Sequence, residues 1–575
     1  MQKLFTIFKS FCRIRSAGNR RYYIFSPIMK RKTLIAGISV LVLGSLGFQA
    51  FRHDDRLFEI AKNIEVFVNV YKEVNGLYVD EINPTRAMRT GIEAMLKELD
   101  PYTVFYPEDM IEEYFTMNVG TYNGIGANIE LHKGKHIVTL VYEGSPADKA
   151  GIKAGDEVQK INGVDVTARK AEEFGRLLKG QKGSSVKLSV LKYGQSRPRD
   201  LSVTREDVKV NNVPHFGMVD DNTGYVQLTS FMNAASGREI RSAIQDLKGK
   251  GMKNLILDLR GNPGGLLQLA VEINNLFLPK GQPVVEMKGR AADQSHKFET
   301  MTQPLDPDMP LVVLIDSKSA SASEIVSGAL QDYDRAVIIG QRTFGKGLVQ
   351  VTRELSYNTQ VKITTAKYYI PSGRCVQAID YGHPNPDGTF PRLPDSLRTA
   401  FKTKAGRTVY DGAGIDPDIV TGKSEQNEYV KALTDQKLIF DYATKYYHAH
   451  PDDKPREGFY LDDAAFREFR EWLKIQKLDY LTPEQKALQE LAAKAEDPAS
   501  IKSQLDQLKK MADARAATLP ERHAAEIRNL LEMEILGRYH YQKAMKFMAF
   551  DRDRDIQEAL KLFGDPKRYQ ALLKK

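Results

Sequence analysis

Four short runs in this 575-residue chain combine residue types that can do chemistry. The run Ser317-Lys318-Ser319-Ala320-Ser321-Ala322-Ser323-Glu324-Ile325 follows an apolar stretch and reads as the opening of a helix. A serine there can turn its hydroxyl to a cleft while the next amide, that of Ala322, faces an oxyanion; Ser-rich helix starts also serve as plain N-caps. The run from Gly340 to Gln350, G-Q-R-T-F-G-K-G-L-V-Q, falls one residue short of the phosphate-binding loop G-x-x-x-x-G-K-[ST], because Gly347 stands where a Mg²⁺ ligand is needed. Lys346 has a second use. A lysine acts as a base toward serine only when neutral, which requires lowering its pKa from about 10.4 toward 7 or 8 by desolvation. Phe344, Leu348 and Val349 can supply an apolar wall, and Gln350, four residues on, can orient the amine without adding charge.

The run Leu257-Asp258-Leu259-Arg260-Gly261-Asn262-Pro263-Gly264-Gly265 lies at a strand-to-helix junction, where glycines expose N–H groups suited either to an oxyanion or to a tight connection. Tyr122-Asn123-Gly124-Ile125-Gly126-Ala127 leads into a strand. Its small residues let successive N–H groups converge on an anion beside a strand edge that can accept an extended peptide.

Positioning these runs requires several domains, since the length allows about three or four. Residues 54–118 read as helical: Leu57, Ile60, Ile64, Phe67 and Val68 recur at three- and four-residue steps, and a second helix follows Pro84 and ends near Leu99 at Asp100-Pro101. Residues 119–205 read as short strands punctuated by Gly and Asn, with one helix from Ala171 to Leu178. From about 222 to 370 apolar strands at Gly224–Leu228, Leu255–Leu259, Leu311–Ile315 and Ala336–Gly340 alternate with helices, an α/β pattern with a buried sheet and catalytic loops at strand ends. Beyond 425 only helices are expected, with Ile501, Leu505, Leu508 and Met511 on one face.

Apolar content of 42% and charged content of 27% are those of a globular chain. Nine of the 83 Lys and Arg fall in the first 50 residues, which hold no Asp or Glu; the remaining 74 balance 74 acidic residues, so the net charge of +9 gives no support to a nucleic-acid groove. Lys30-Arg31-Lys32 followed by the apolar run Thr33–Phe51 has the order of an export signal, long enough also to anchor in a membrane. The basic side is then cytoplasmic and everything after Phe51 lies outside. Met29 precedes this cluster and suits a true start, making residues 1–28 an over-long reading. Cys375 is the one cysteine after the signal, so neither an internal disulfide nor a cysteine metal site is expected.

The stretch S-P-A-D-K-A-G-I-K-A-G-D-E-V-Q-K-I-N-G at 145–163 resembles the PDZ domain. In order, G-I-G-A, this stretch, R-G-N-P-G-G, S-A-S-E-I and G-K-G-L-V-Q resemble the carboxyl-terminal processing peptidases, the tail-specific proteases. L-D-P-Y-T at Leu99–Thr103, T-T-A-K-Y-Y-I-P-S-G-R at Thr364–Arg374 and G-I-D-P-D at Gly414–Asp418 agree, over roughly residues 55–420; Ala413 stands where a glycine is more usual. The resemblance implies a serine endopeptidase with Ser321 as nucleophile, Lys346 as general base and Gln350 as orienting residue. It also implies Gly264 and the Ala322 amide at the oxyanion, and Gly124, Ile125, Gly126 and Ala127 at the substrate tail.

The implied fold is multidomain α+β: a signal or anchor (1–50), an N-terminal helical region (51–118), an inserted PDZ domain (119–205), a crotonase-like α/β protease core (206–424) and a C-terminal helical region (425–575). No cofactor or metal is required. Expected partners are exported proteins with free, apolar C-termini; a regulatory or adaptor protein, a homo-oligomer and membrane attachment through 33–51 are compatible, at a periplasmic or extracytoplasmic location. One rival is a catalytically silent PDZ scaffold or tail-binding chaperone. Another is a Ser-His-Asp hydrolase, for which the chain offers no G-x-S-x-G elbow and no catalytic setting at His136 or His215.

Overall fold

The computed structural model describes residues 56–111 and 121–574, apart from 168, 170, 179, 210, 233–235, 386–388, 423–426, 454, 457, 495–497, 542 and 545–549. The expected export segment lies outside these residues. The chain divides after Ile92 into two compact units. In the first, helix α1 (residues 56–77) is joined to the start of α2 (Pro84–Lys97) by a 2.9 Å hydrogen bond from the Tyr71 hydroxyl to Pro84 O. The apolar positions that announce α1, among them Leu57, Ile60, Ile64 and Phe67, are exposed.

The second unit begins with a correction to the helical reading of 54–118: Val104–Tyr106 is a strand, β1. Three residues carry no periodicity, and this strand exists because a distant partner supplies its hydrogen bonds. The β-rich module follows, with β2 (Thr121–Gly124), β3 (Ala127–His132), β4 (Lys135–Val141), α3 (Pro146–Lys149), β5 (Glu157–Ile161), α4 (Ala171–Leu178), β6 (Ser185–Leu191), β7 (Arg199–Thr204) and β8 (Glu206–Lys209). Its main sheet runs β3-β4-β5-β6-β7, while β2 pairs with β8, so β3 is an edge strand. The alternating burial of β6, with Val186, Leu188 and Val190 inside, reflects a sheet with one wet face.

The α/β core comprises β9 (His215–Met218), β10 (Thr223–Gln227), α5 (Ser236–Gly249), β11 (Asn254–Asp258), α6 (Leu267–Asn274), β12 (Pro283–Gly289), β13 (His296–Glu299), β14 (Leu311–Ile315), α7 (Ala322–Asp332), β15 (Val337–Gly340), β16 (Leu348–Glu354), β17 (Gln360–Tyr369) and β18 (Ile419–Val420). The sheet β9-β10-β11-β14-β15-β18 is parallel except for β9. Its strands are apolar on both faces because both are covered. Leu257, Val313 and Ile338 face α5, α6 and α7, whereas Ile256, Val312 and Ile339 face the other way. A second sheet is built on β17, with β16 along one edge and β1 and β12 sharing the other.

The remaining chain folds as α8 (Glu428–Asp435), α9 (Leu438–Ala449), α10 (Asp463–Lys474), α11 (Pro483–Lys494), α12 (Pro498–Ala516), α13 (Ala524–His540), α14 (Arg554–Phe563) and α15 (Pro566–Lys574). The stripe expected on α12 is not core: Leu508 and Met511 are exposed. More consequential is the return of the tail. Ile556, Ala559 and Leu562 of α14 and Tyr569 of α15 form the layer over Ile256, Val312 and Ile339. Burying Ile556 and Leu562 is alone worth about 3–6 kcal/mol. The tail also holds the β-rich module, through His132–Asp441 at 3.0 Å, Lys437–Glu130 at 2.7 Å and the Tyr541 hydroxyl on Asp148 at 2.6 Å.

Candidate active site

Strand β14 is buried throughout and delivers the chain to a tightly fastened loop. Asp316 Oδ1 accepts from the N–H groups of Lys318, Ser319 and Gly261, at 3.0, 3.0 and 2.9 Å. Ser319 Oγ donates to Leu259 O at 2.8 Å and Ser323 Oγ to Asn262 O at 3.0 Å. Both hydroxyls are buried and occupied, and Ser317 is exposed ahead of the helix, whereas Ser321 is half-buried at the N-cap of α7. Its φ of 55° is one that non-glycine residues avoid, and such strain concentrates at functional sites.

Gly264 touches Ser321 from the neighbouring strand end. A Cβ there would stand 2.6 Å from Ala320 O and 2.8 Å from Ala322 N, and its φ is +93°. Only glycine permits that approach. Its own N–H donates to Asn262 Oδ1 at 2.9 Å. Among the described residues, the N–H groups of Ala322 and Gly265 have no protein acceptor, Ala322 being in the first turn of α7 where such donors are orphaned.

Glu324, a residue of the S-A-S-E-I motif to which the sequence alone assigns no role, joins the two chemical runs. Fully buried, its carboxylate accepts from Ser321 N, Gly345 N and Lys346 N, each at 2.8 Å, and from Thr343 Oγ1 at 2.6 Å. The Ser-x-x-Glu spacing of a capping box was the available signal. Burial raises this carboxyl to about 7 against the four hydrogen bonds. The same contacts explain why the near match to a phosphate loop misleads. The loop runs into strand β16 rather than a helix, two of its N–H groups are spent on Glu324, and Gly347 N donates to Gln377 Oε1 at 2.7 Å.

Lys346 is half-buried, its Nζ 4.1 Å from the centre of the Tyr102 ring. Burial, with Lys362 second, lowers its amine to about 8; Asp100 and Glu324 oppose the shift. Among the described residues the amine makes no hydrogen bond, either to Ser321 or to Gln350. The Tyr368 hydroxyl ties the backbones of the two chemical residues, lying 2.7 Å from Lys346 O and 3.1 Å from Ser321 O. Gln350 sits where the register of β16 on β17 shifts and donates from Nε2 to Thr364 Oγ1 at 3.1 Å. His136 stacks on Phe174 at 4.0 Å within the β-rich module, and His215 packs near Tyr225.

In that module Gly124, Ile125 and Ala127, but not Gly126, form one corner of a groove of about 390 Å³ between β3 and Phe174, Gly175 and Leu178 of α4. Gly126 has φ +77°, and a Cβ on it would meet Ser145 Cβ at 2.2 Å. The carbonyls of Ile125 and Gly126 accept from Ala147 N at 2.7 Å and Tyr142 N at 2.9 Å, whereas the N–H groups of both residues have no protein acceptor among the described residues.

Comparison with known proteins follows the same division. The family model described as peptidase family S41 matches residues 222–387, that of a PDZ domain residues 137–192, and that of a probable PDZ-protease C-terminal helical domain residues 429–563. The carboxy-terminal-processing protease of Bartonella bacilliformis is 33% identical over 322 residues, 55% of this chain and 73% of its own. The carboxy-terminal processing protease CtpA of Bacillus subtilis is 33% identical over 311 residues, 53% of this chain and 65% of its own. The solved photosystem II D1 C-terminal processing protease is 25% identical, covering 62% of this chain and 92% of its own, with a TM-score of 0.35.

Proposed function

Because this chain belongs to the carboxy-terminal processing proteases, serine peptidases of family S41 that carry a PDZ domain, we propose that it cleaves exported proteins with a Ser321–Lys346 dyad after its PDZ domain has captured their C-terminal tails. The observation that carries the proposal is the Lys346 amine, lowered to about 8 in a loop that Glu324 fastens to the N-cap of Ser321. At pH 7 about a tenth of such a lysine is neutral, enough for a general base.

The proposed reaction is acyl transfer. Lys346 swings from Tyr102 to the Ser321 hydroxyl and takes its proton, and the alkoxide attacks the peptide carbonyl. The oxyanion is met by the Ala322 N–H and, in place of the occupied Gly264 N–H, by that of Gly265. Lys346 returns the proton to the leaving amine, water hydrolyses the acyl-enzyme and Gln350 orients the base. In the PDZ domain the unpaired N–H groups of Ile125 and Gly126 suit a terminal carboxylate, and the free edge of β3 suits strand addition. The groove walls Ile129, Phe174 and Leu178 favour an apolar tail.

The same reading assigns residues 1–50 to a signal or anchor, 51–118 to an N-terminal region whose helices are followed by strand β1, 119–205 to the PDZ domain, 206–424 to a crotonase-like core and 425–575 to the helical region, in a periplasmic or extracytoplasmic protein. Cell fractionation with N-terminal sequencing of the mature chain tests the location. For the chemistry, purified residues 51–575 are incubated with an unfolded protein ending in apolar residues, beside Ser321→Ala and Lys346→Ala. Cutting by the wild type alone, slowed when the substrate's C-terminus is amidated, is the expected result. Activity in Lys346→Ala overturns the dyad, and tail binding without cutting by any form favours the scaffold.

A further inference from the structure

The turn Asp100–Thr103 lies beside the proposed dyad although it is far from it in sequence and no chemistry has been assigned to it. Asp100 is buried, and its carboxylate closes the turn by accepting from Tyr102 N and Thr103 N, both at 2.8 Å, and from Thr103 Oγ1 at 3.1 Å. Two contacts leave the turn for the site. The Tyr102 ring carries Lys346 Nζ at 4.1 Å. Thr103 Oγ1 accepts from Thr364 N at 3.2 Å, and Thr364 Oγ1 in turn holds the Gln350 amide at 3.1 Å. The ring is itself held edge-on by Tyr381, with centroids 5.9 Å apart. Strand β1, which follows the turn at once, is pinned to β17 by the pairing Val104↔Lys362, so the turn cannot drift relative to Thr364.

Resting on the reading of Lys346 as the base, we infer that Tyr102 and Thr103 are positioning residues of this protease: the Tyr102 ring is the wall that keeps water from the Lys346 amine, and Thr103, through Thr364, sets the orientation of Gln350. Neither touches the substrate in the proposed reaction. The charged groups facing the amine are Lys362 from β17, Asp100 from the turn and Glu324 from α7. The ring adds no charge. Its effect is exclusion of water, which favours the neutral amine and outweighs the attraction of the ring face for the ammonium.

The test uses residues 51–575 and a fluorogenic unfolded protein ending in apolar residues, with kcat and KM measured from pH 6 to 10. Tyr102→Ala is expected to move the acid limb of kcat from near 8 upward by about one unit or more, and to lower kcat at pH 7 about tenfold with KM little changed. Tyr102→Phe keeps the ring and is expected to restore the limb; Tyr102→Leu serves if the alanine variant does not fold. Thr103→Val is expected to lower kcat at every pH without moving the limb, and Thr103→Ser to recover it. A lower rate whose limb stays at the wild-type pH in both Tyr102→Ala and Tyr102→Leu, or a rate that rises in either, overturns the role given to Tyr102. Lys346→Ala measured alongside separates the two claims, since full activity there removes the dyad itself, while an inactive Lys346→Ala with an unmoved limb in the Tyr102 variants removes only the wall.

Discussion

Replacing Lys346 by Met should abolish cleavage and, at neutral pH, stabilise the protein. The amine is lowered from 10.5 to about 8, chiefly by burial. At 1.36 kcal/mol per unit, holding it charged in the folded state at pH 7 costs about 3.4 kcal/mol relative to the unfolded chain. Partial solvent access reduces this to an expected gain of about 1–3 kcal/mol on removing the charge. Met keeps the length of the aliphatic stem against Tyr102, so little packing is lost. Because the folded pKa is depressed, the unfolded chain binds more protons between pH 8 and 10.5, and the wild type gains stability as pH rises through that window and loses it as pH falls back to about 8. The gap between Lys346→Met and wild type is therefore widest at pH 7 and nearly closed by pH 10.5. Urea or thermal midpoints of residues 51–575 at both pH values measure it, the groups common to the two proteins cancelling. A variant no more stable than wild type at pH 7, or a gap that does not change with pH, refutes the argument that burial primes this lysine.

Glu324→Ala strands the buried N–H groups of Ser321, Gly345 and Lys346; at about 1–3 kcal/mol each, a lowered unfolding midpoint and a loss of kcat of at least about 100-fold are expected from denaturation and steady-state assays. Gly264→Ala puts a methyl 2.6 Å from Ala320 O at a φ of +93°, and should cost about 100-fold or more in kcat with KM nearly unchanged. The double change Asp553→Asn, Asp555→Asn removes the tail carboxylates that hold the Arg260 guanidinium at 2.9 Å each, while Asp258 at 2.7 Å remains; loss of two of the three charged partners of this half-buried arginine is expected to cost about 1–3 kcal/mol, to be read from urea unfolding of the full chain, with a parallel fall in rate because Arg260 opens the glycine loop beside Ser321.

Much of the architecture was legible because it follows from local rules. The alternating strands and helices of 222–370, the helix from Ala171 to Leu178 and the α2 helix ending before Asp100-Pro101 are set by side-chain periodicity and by residues that break a helix. Strand β1 was missed because only pairing with β17 defines it. The return of α14 and α15 was missed for a similar reason. An apolar strand reads as buried on both faces, but nothing in it says which distant helix covers the second face.

At the site the same boundary holds. The residue types and their order, through the family they resemble, put Ser321, Lys346, Gln350 and Gly264 forward as one proposed site, since motifs and the positions of strand ends are written locally. Only the tertiary structure decided how Ser319 and Ser323 differ from Ser321, which amide beside Gly264 stays open, and that Glu324 and Tyr102 are the immediate neighbours of the lysine. Those facts depend on hydrogen bonds and desolvation among segments far apart in the chain: a carboxylate accepting from two loops at once, and a ring excluding water from an amine. Burial and donor occupancy belong to the packed arrangement, so they arise when the segments meet.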